Sequence, residues 1–509
     1  MLSNAQAGTL LLAALLFVGR FFFKRLKQLP LPPGPPKRPI VGNLLHLPSE
    51  FEWVKYHDWA KEYNSDIIHL DACGESIVVV DTIEAAYELF DKRSSIYSSR
   101  PRFTMINELM GWDWIFAFMK YGDYWKHHRR LFQQEFHPTA STRFQPHEIK
   151  YTRQMLRRLL AAPDDFMDHM RHATGAIIMD VGYAIEVKEK DDPYVYTAEK
   201  ALYGLVEAAV PGTFLVDAIP LLKYVPEWFP GAGFQKKAKE WKYHADRMLV
   251  EPFAVVKREM AAGVEKPSFV AHSLRDMDKS RDLEFQERII QETAGNLYAA
   301  GSDTTVSALN SFVLAMLCHP EVQVKAQKEL DELLQGVRLP DFEDEDSLPY
   351  ISAIVQEVIR WQPVTPIAIP HFVEVEDVYK GYRIPANSTV VGNAWAMLHD
   401  ERMYPDPFTF NPERWLKDGK INPDIREPTS VFGFGRRICP GRHMAIAQIW
   451  ITAASVLASF NITKAIDEDG NVIEPTQKYH SALICHALPF KCSILPRSRS
   501  AEDLILAPG

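Results

Sequence analysis

One cysteine constrains this chain more than any other residue. It stands at position 439 in Phe432-Gly-Phe-Gly-Arg-Arg-Ile-Cys-Pro-Gly441, immediately ahead of a long apolar stretch from Met444 to Phe460. Glycines let the backbone fold closely around the sulfur, while the two arginines and the start of the following helix add positive potential that favours thiolate over thiol. That geometry suits a metal-bound thiolate. An isolated cysteine is otherwise just a small core residue. The other four cysteines, at 73, 318, 485 and 492, are widely spaced and form no CxxC. Neither a disulfide framework nor a zinc module is indicated, and the body reads as reducing-side and cytosolic.

A chain of 509 residues with 47% hydrophobic and 24% charged residues has ample material for a large core, and this balance excludes wholesale disorder, a collagen-like repeat and a polytopic membrane protein. A net charge of −9 speaks against wrapping nucleic acid. The N-terminus departs from this average. No acidic residue precedes Glu50, whereas Arg20, Lys24, Arg25, Lys27, Lys37 and Arg38 do, so the first 49 residues carry +6 and the remainder −15. Ala7 to Phe23 is almost wholly apolar, close to the ~17–25 residues of a membrane-spanning helix, and its basic residues follow the apolar run, which leaves the body in the cytosol. A secretory signal would carry its charges first. The expected organisation is an anchor with basic flank over 1–28, a proline-rich hinge over 29–48 containing Leu31-Pro-Pro-Gly-Pro-Pro36, and one domain over 49–509, since no repeat or second linker follows.

Periodicity predicts helices over Phe285–Leu317, Pro320–Leu334, Ile351–Trp361 and Met444–Phe460, a hairpin over 66–82 turning near Gly74, and strand and turn over 371–393. The fold class is mainly α with small sheets. Segment 210–234, apolar and aromatic but broken by prolines, reads either as a mobile lid or bilayer-touching surface, or as a packed loop.

Phe432, Gly435, Arg437, Cys439 and Gly441 complete the pattern FxxGxRxCxG, whose chance occurrence in such a chain is on the order of 10⁻⁴. Here the sequence resembles the cytochrome P-450 superfamily of haem-thiolate monooxygenases, and three further motifs extend the likeness over nearly the whole chain. Glu357-Val-Ile-Arg360 matches ExxR, and Pro412-Glu-Arg-Trp415 matches the segment whose arginine, here Arg414, completes a Glu-Arg-Arg network. The resemblance makes Glu357, Arg360 and Arg414 structural holders of the cysteine loop. Ala300-Gly-Ser-Asp-Thr-Thr305 looks like the oxygen-binding motif (A/G)GxDT, which implies that Asp303 and Thr304 manage protons. Gly301 and paired threonines are poor helix formers, so a bent, opened helix is expected there. Trp125-Lys-His-His-Arg129 matches WxxxR, and His371 follows Pro370 where many members bind a propionate. Trp125, Arg129, His371 and Arg437 are therefore the implied haem-propionate residues, with Phe432 and Gly441 shaping the loop.

The resemblance implies haem b held by Cys439 as axial ligand to the iron and insertion of one oxygen atom into a lipophilic small molecule. Lys126, Arg130, Arg436 and Arg442 would present a docking face to an acidic electron donor. No GxGxxG follows a strand, so NADPH acts indirectly, through an NADPH–cytochrome P-450 reductase, with cytochrome b5 as a further partner. The implied location is the endoplasmic-reticulum membrane, single-pass. The style of the motifs is most similar to fungal microsomal members of secondary metabolism, the O-methylsterigmatocystin oxidoreductase-like group. A haem-thiolate isomerase or dehydratase and a non-catalytic haem sensor are the alternatives; the former usually departs from the acid–Thr pair, and the latter has no need of it.

Overall fold

The computed structural model describes residues 29–210 and 212–507. The apolar run Ala7–Phe23 lies outside the described residues, and among those described no helix is long and apolar enough to cross a membrane. Ten helices of more than ten residues are present among them: α1 (Glu52–Glu62), α2 (Asp123–Phe136), α3 (Gln145–Ala161), α4 (Phe166–Tyr183), α5 (Pro193–Ala208), α6 (Gly233–Ala262), α7 (Leu283–Cys318), α8 (Pro320–Leu334), α9 (Pro349–Trp361) and α10 (Arg442–Ser459). Local chemistry sets their ends. The Asp282 carboxylate accepts from the Phe285 amide and starts α7, Pro320 and Pro349 occupy first turns, where a missing N–H costs nothing, and α9 stops at Trp361 ahead of Pro363.

Strands β1 (Ile67–Ala72) and β2 (Glu75–Val80) form a hairpin. Its two-residue turn, Cys73-Gly74, has φ of 52° and 93°, the paired positive values that match strand twist. Together with β3 (His371–Val373) and β4 (Ser388–Gly392) they make one sheet in the order β1-β2-β4-β3, with β2 parallel to β4 and β3 antiparallel to it. The parallel pair, Ile77 opposite Thr389, ties the first hundred residues to the last third of the chain.

Helix α7 is the axle of the molecule. Its N-terminal half, to Ala299, packs with α2, α4, α5 and α6, and from Ala308 onward it packs with α3, α8, α9 and α10. Residues 300–307 lie between these two cores. From Ile289 to Leu317 only Ala300 is exposed, with Gln291, Gly301 and Thr304 half-buried. The expected opening of the helix here is not what the glycine serves. α7 is unbroken from 283 to 318, and a Cβ at Gly301 would sit 2.5 Å from Ile178 Cδ1, so the glycine is where α4 crosses closely. The Thr304 hydroxyl donates back to the Ala300 carbonyl at 2.8 Å, as Ser302 does to Tyr298.

In 210–234 the packed-loop reading fails for most side chains. Leu215, Ile219, Leu221, Tyr224 and Trp228 are exposed, the last 81% so, and Val216 is buried.

Candidate active site

The cysteine loop is built from short-range sterics. Gly433 (φ 80°) and Gly435 (φ 54°) occupy left-handed conformations, and a side chain at Gly435 would collide with the Phe90 carbonyl. The Cys439 amide donates to the Phe432 carbonyl at 2.7 Å and closes the loop. Gly441 caps α10. Burial pushes the Cys439 thiol up, while the amides of Gly441 and Arg442 and the guanidiniums of Arg129 and Arg442 favour the thiolate against it. The cysteine is thus held among donors that suit a bound cation at the sulfur.

Around this loop stand three arginines and a histidine, none of them paired with a carboxylate. Arg437 donates to the carbonyls of Ser98, Phe116 and Met119, and its guanidinium lies 4.3 Å from the centre of the Trp125 ring. Arg129 donates to the Ile438 carbonyl at 2.6 Å. His371 is buried on β3, Nδ1 2.7 Å from the Tyr97 carbonyl. Arg100, which sequence reasoning missed, is buried and donates to the carbonyls of Ala117, Ile369 and Pro370. No carboxylate pairs with any of the four among the described residues. Burial, with mutual repulsion at Arg437, draws Arg437 down to about 8 and Arg100 to about 9; His371 is also lowered by burial. Trp125 Nε1 is buried without an acceptor. A donor set so rich in charge fits a ligand bearing two carboxylates.

Helix α2 is set in place by a clasp that its basic appearance hides. His128, fully buried between Trp125 and Arg129, pairs with Glu292 of α7 at 2.9 Å, and the Tyr124 hydroxyl donates to the same carboxylate at 2.6 Å. The clasp fixes which face of α2 turns toward the loop.

Glu357, Arg360 and Arg414 come together. Glu357 accepts two bonds from Arg360 at 2.8 Å, one from Arg414 at 3.1 Å, one from the Asn411 amide and one from Trp415 Nε1 at 2.9 Å. The arginines continue to carbonyls of Leu398, Pro405, Asp406 and Thr409. Their bonds pin the 398–415 segment ahead of the cysteine loop rather than the loop itself. Trp415, inside the matched PERW, is a member that the motif itself could have disclosed.

Asp303 and Thr304 are neighbours with different surroundings. Thr304 belongs to the half-exposed strip with Ala300. Asp303 is buried, its Oδ1 2.7 Å from Arg171 of α4 and its Oδ2 3.0 Å from His486 Nε2, and these two partners hold it at about 2 despite its burial.

The residues present therefore fit iron protoporphyrin: a half-buried cysteine whose sulfur faces amide donors, an orphaned indole N–H, and arginines enough for two propionates. The comparisons agree. The family model for cytochrome P-450 matches residues 32–493. Cytochrome P-450 monooxygenase 98 of Postia placenta is 46% identical over 94% of this chain and 93% of its own length. Cytochrome P-450 monooxygenase ple1 of Rhodocybe pseudopiperita is 45% identical over 99% and 97%, and tryptamine 4-monooxygenase of Psilocybe cyanescens is 42% identical over 96% and 98%. Likeness of that extent, on a site whose donors already call for haem, makes this chain a member of the cytochrome P-450 family and a haem b monooxygenase.

Proposed function

We propose that the chain oxidises a lipophilic small molecule, inserting one atom of dioxygen with electrons passed from NADPH by a separate reductase. The observation that carries this reading is the acid-free group of Arg100, Arg129, Arg437 and His371 beside the one cysteine whose sulfur faces two amides. When bound, haem supplies the iron centre at which dioxygen is activated. Cys439 would hold its iron, and Arg100, Arg129, Arg437 and His371 with Trp125 would hold its propionates. Phe432 and Gly441 shape the loop, and Glu357, Arg360 and Arg414 keep the preceding segment in place. Asp303 and Thr304 would handle protons at the α7 strip. Phe103, Ile106, Phe118, Ile369 and Leu483 belong to one apolar cluster with the first half of α7, which supports an apolar substrate.

A surface groove of about 660 Å³ runs along α2, lined by Trp125, Lys126, Arg129, Arg130 and glutamines. Arg436 bonds the Tyr121 hydroxyl and, like Lys126, lies over that ring. This basic rim supports docking of an acidic donor domain there, the reductase or cytochrome b5, despite the negative total charge. Attachment to the endoplasmic-reticulum membrane by residues 1–28 belongs to the same reading. The exposed Leu215, Leu221, Tyr224 and Trp228 support a second contact with lipid.

The test is turnover in yeast membranes containing reductase, with a lipophilic panel that includes tryptamine, the compound for which one relative is named. Products should carry label from isotopic dioxygen, and Cys439→Ser should abolish both turnover and the red-shifted Soret band of the reduced carbon-monoxide complex. A thiolate band that survived the substitution would overturn the assignment.

A further inference from the structure

Asp303 is the one buried acid of the α7 strip, and both of its oxygens are engaged. Arg171 holds Oδ1 at 2.7 Å and His486 holds Oδ2 at 3.0 Å. The two partners differ in chemistry: a guanidinium keeps its protons at any working pH, whereas imidazole gives up and takes back a proton near neutrality. They also differ in placement. Arg171 continues to Glu199 of α5 at 3.6 Å, which closes that side with an ion pair. His486 sits on the C-terminal loop, its side chain 20% exposed. The loop is fastened to the same stretch of α7 by the residue before it. The Ser307 hydroxyl donates to the Cys485 carbonyl at 2.5 Å, and the Cys485 amide to the Val364 carbonyl at 2.9 Å. The imidazole is therefore fixed against Asp303 on one side and open to water on the other. The charged groups around the pair are Asp303 of α7, Arg171 and Asp168 of α4, and Glu199 and Lys200 of α5.

We infer that His486 is the group through which protons from solvent reach Asp303, a positioning residue that acts through that carboxylate on the Thr304 face of α7. The inference rests on the proton role proposed above for Asp303 and Thr304. With Arg171 and His486 bonded to it, Asp303 stays a carboxylate and stores no proton of its own, so each proton it passes on must arrive from a neighbour able to release one. His486 is the neighbour that can. A proton leaves Nε2 for Asp303 Oδ2 and moves on toward Thr304. The carboxylate is then an anion again, and the neutral imidazole, whose Nδ1 still carries its hydrogen, turns to solvent, takes a proton at the vacated Nε2 and turns back. No electron moves in this sequence.

The test uses haem-loaded enzyme with its reductase, following NADPH oxidised, oxygen consumed and hydrogen peroxide released between about pH 5 and 8, in water and in deuterium oxide. In the wild type the peroxide share should rise as the imidazole loses its proton, with a solvent isotope effect that grows over the same range. His486→Gln keeps a hydrogen bond to Asp303 without a transferable proton. It should raise the peroxide share several-fold at low pH and flatten the profile, and free imidazole should restore His486→Ala. A wild-type profile in His486→Gln, or a wild type without pH dependence, overturns the inference. Should His486→Gln fail to hold haem, His486→Lys places a donor that stays protonated across the range and should keep the peroxide share low and independent of pH; a wild-type profile there also overturns it. Thr304→Ala and Asp303→Asn separate the two readings. If they raise peroxide while His486→Gln does not, only the role of His486 falls; if they too leave peroxide unchanged, the Asp303–Thr304 reading falls with it.

Discussion

Two groups of buried and half-buried arginines face opposite problems. In the first, Arg360 and Arg414 share Glu357, which is fully buried and accepts five hydrogen bonds, so the chain has supplied both signs of charge itself. In the second, Arg100, Arg129 and Arg437 stand with His371 and meet only carbonyls. Burying a charge costs several kcal/mol unless it is paired. The completed group is therefore a device of folding, and under the proposed function the incomplete one is a device of binding whose counter-ion arrives with the ligand. Asp303 is a third case, one acid between an arginine and a histidine, the second a partner that can change protonation. Residue type alone does not separate the three; the balance of charge within each does.

The comparison breaks first at Glu357. Glu357→Gln leaves two buried guanidiniums facing one carboxamide and should cost about 3–5 kcal/mol, a large part of the stability of a marginally stable domain. Little folded haem protein is expected. A variant that melted with the wild type would show that the group is not needed for the fold.

Asp303→Asn should cost less, about 2 kcal/mol at neutral pH, the equivalent of a carboxyl moved from its ordinary 3.8 to about 2. The sign follows from the depressed value: stabilisation is present in full above the ordinary pKa and is lost as pH falls through about 2. Acid unfolding curves of the two proteins should converge at the low end. Curves that stayed parallel would place the effect elsewhere than in this titration.

Arg129→Gln sharpens the contrast, because it removes a cation from the incomplete group. Transfer of haem to a scavenging apoglobin should quicken about tenfold, one charge-assisted bond being worth ~1.5–3 kcal/mol. Unfolding after haem extraction should move by less than about 1 kcal/mol, since the side chain bonds only the Ile438 carbonyl. A loss after extraction as large as that of Glu357→Gln would make this group structural as well.

The smallest effect is expected at Pro440. The amides of Gly441 and Arg442 face the sulfur, whereas Pro440 has no N–H to offer. Pro440→Ala adds one donor, which withdraws electron density from the thiolate, and redox titration should show a modestly higher ferric/ferrous potential. An equal or lower potential with the loop unchanged would leave proline only the role of stiffening the turn.

The sequence by itself determined the features that short-range physics governs. The cysteine loop was legible because left-handed glycines, a closing Cys439–Phe432 bond and a capped helix all lie within ten residues. Helix α8 could be read to its ends because a proline opens it, and the β1–β2 hairpin because its turn requires Cys73-Gly74. Trp125, Arg129 and Arg437, which the fold gathers beside that loop, stand at motif positions. Arg100 does not, and nothing within reach of Ser98-Ser-Arg-Pro101 distinguishes a buried arginine from a surface one. Tertiary structure alone decided the charge partners. Arg171 and His486 reach Asp303 from 132 and 183 positions away, and His128 reaches Glu292 from 164. It also decided that Gly301 serves the crossing of α4 rather than an opening of α7. The physical reason is range. Backbone sterics and capping act over a few residues and leave a pattern in the chain, whereas the energy of a buried charge depends on whatever the completed packing brings within about 3 Å of it.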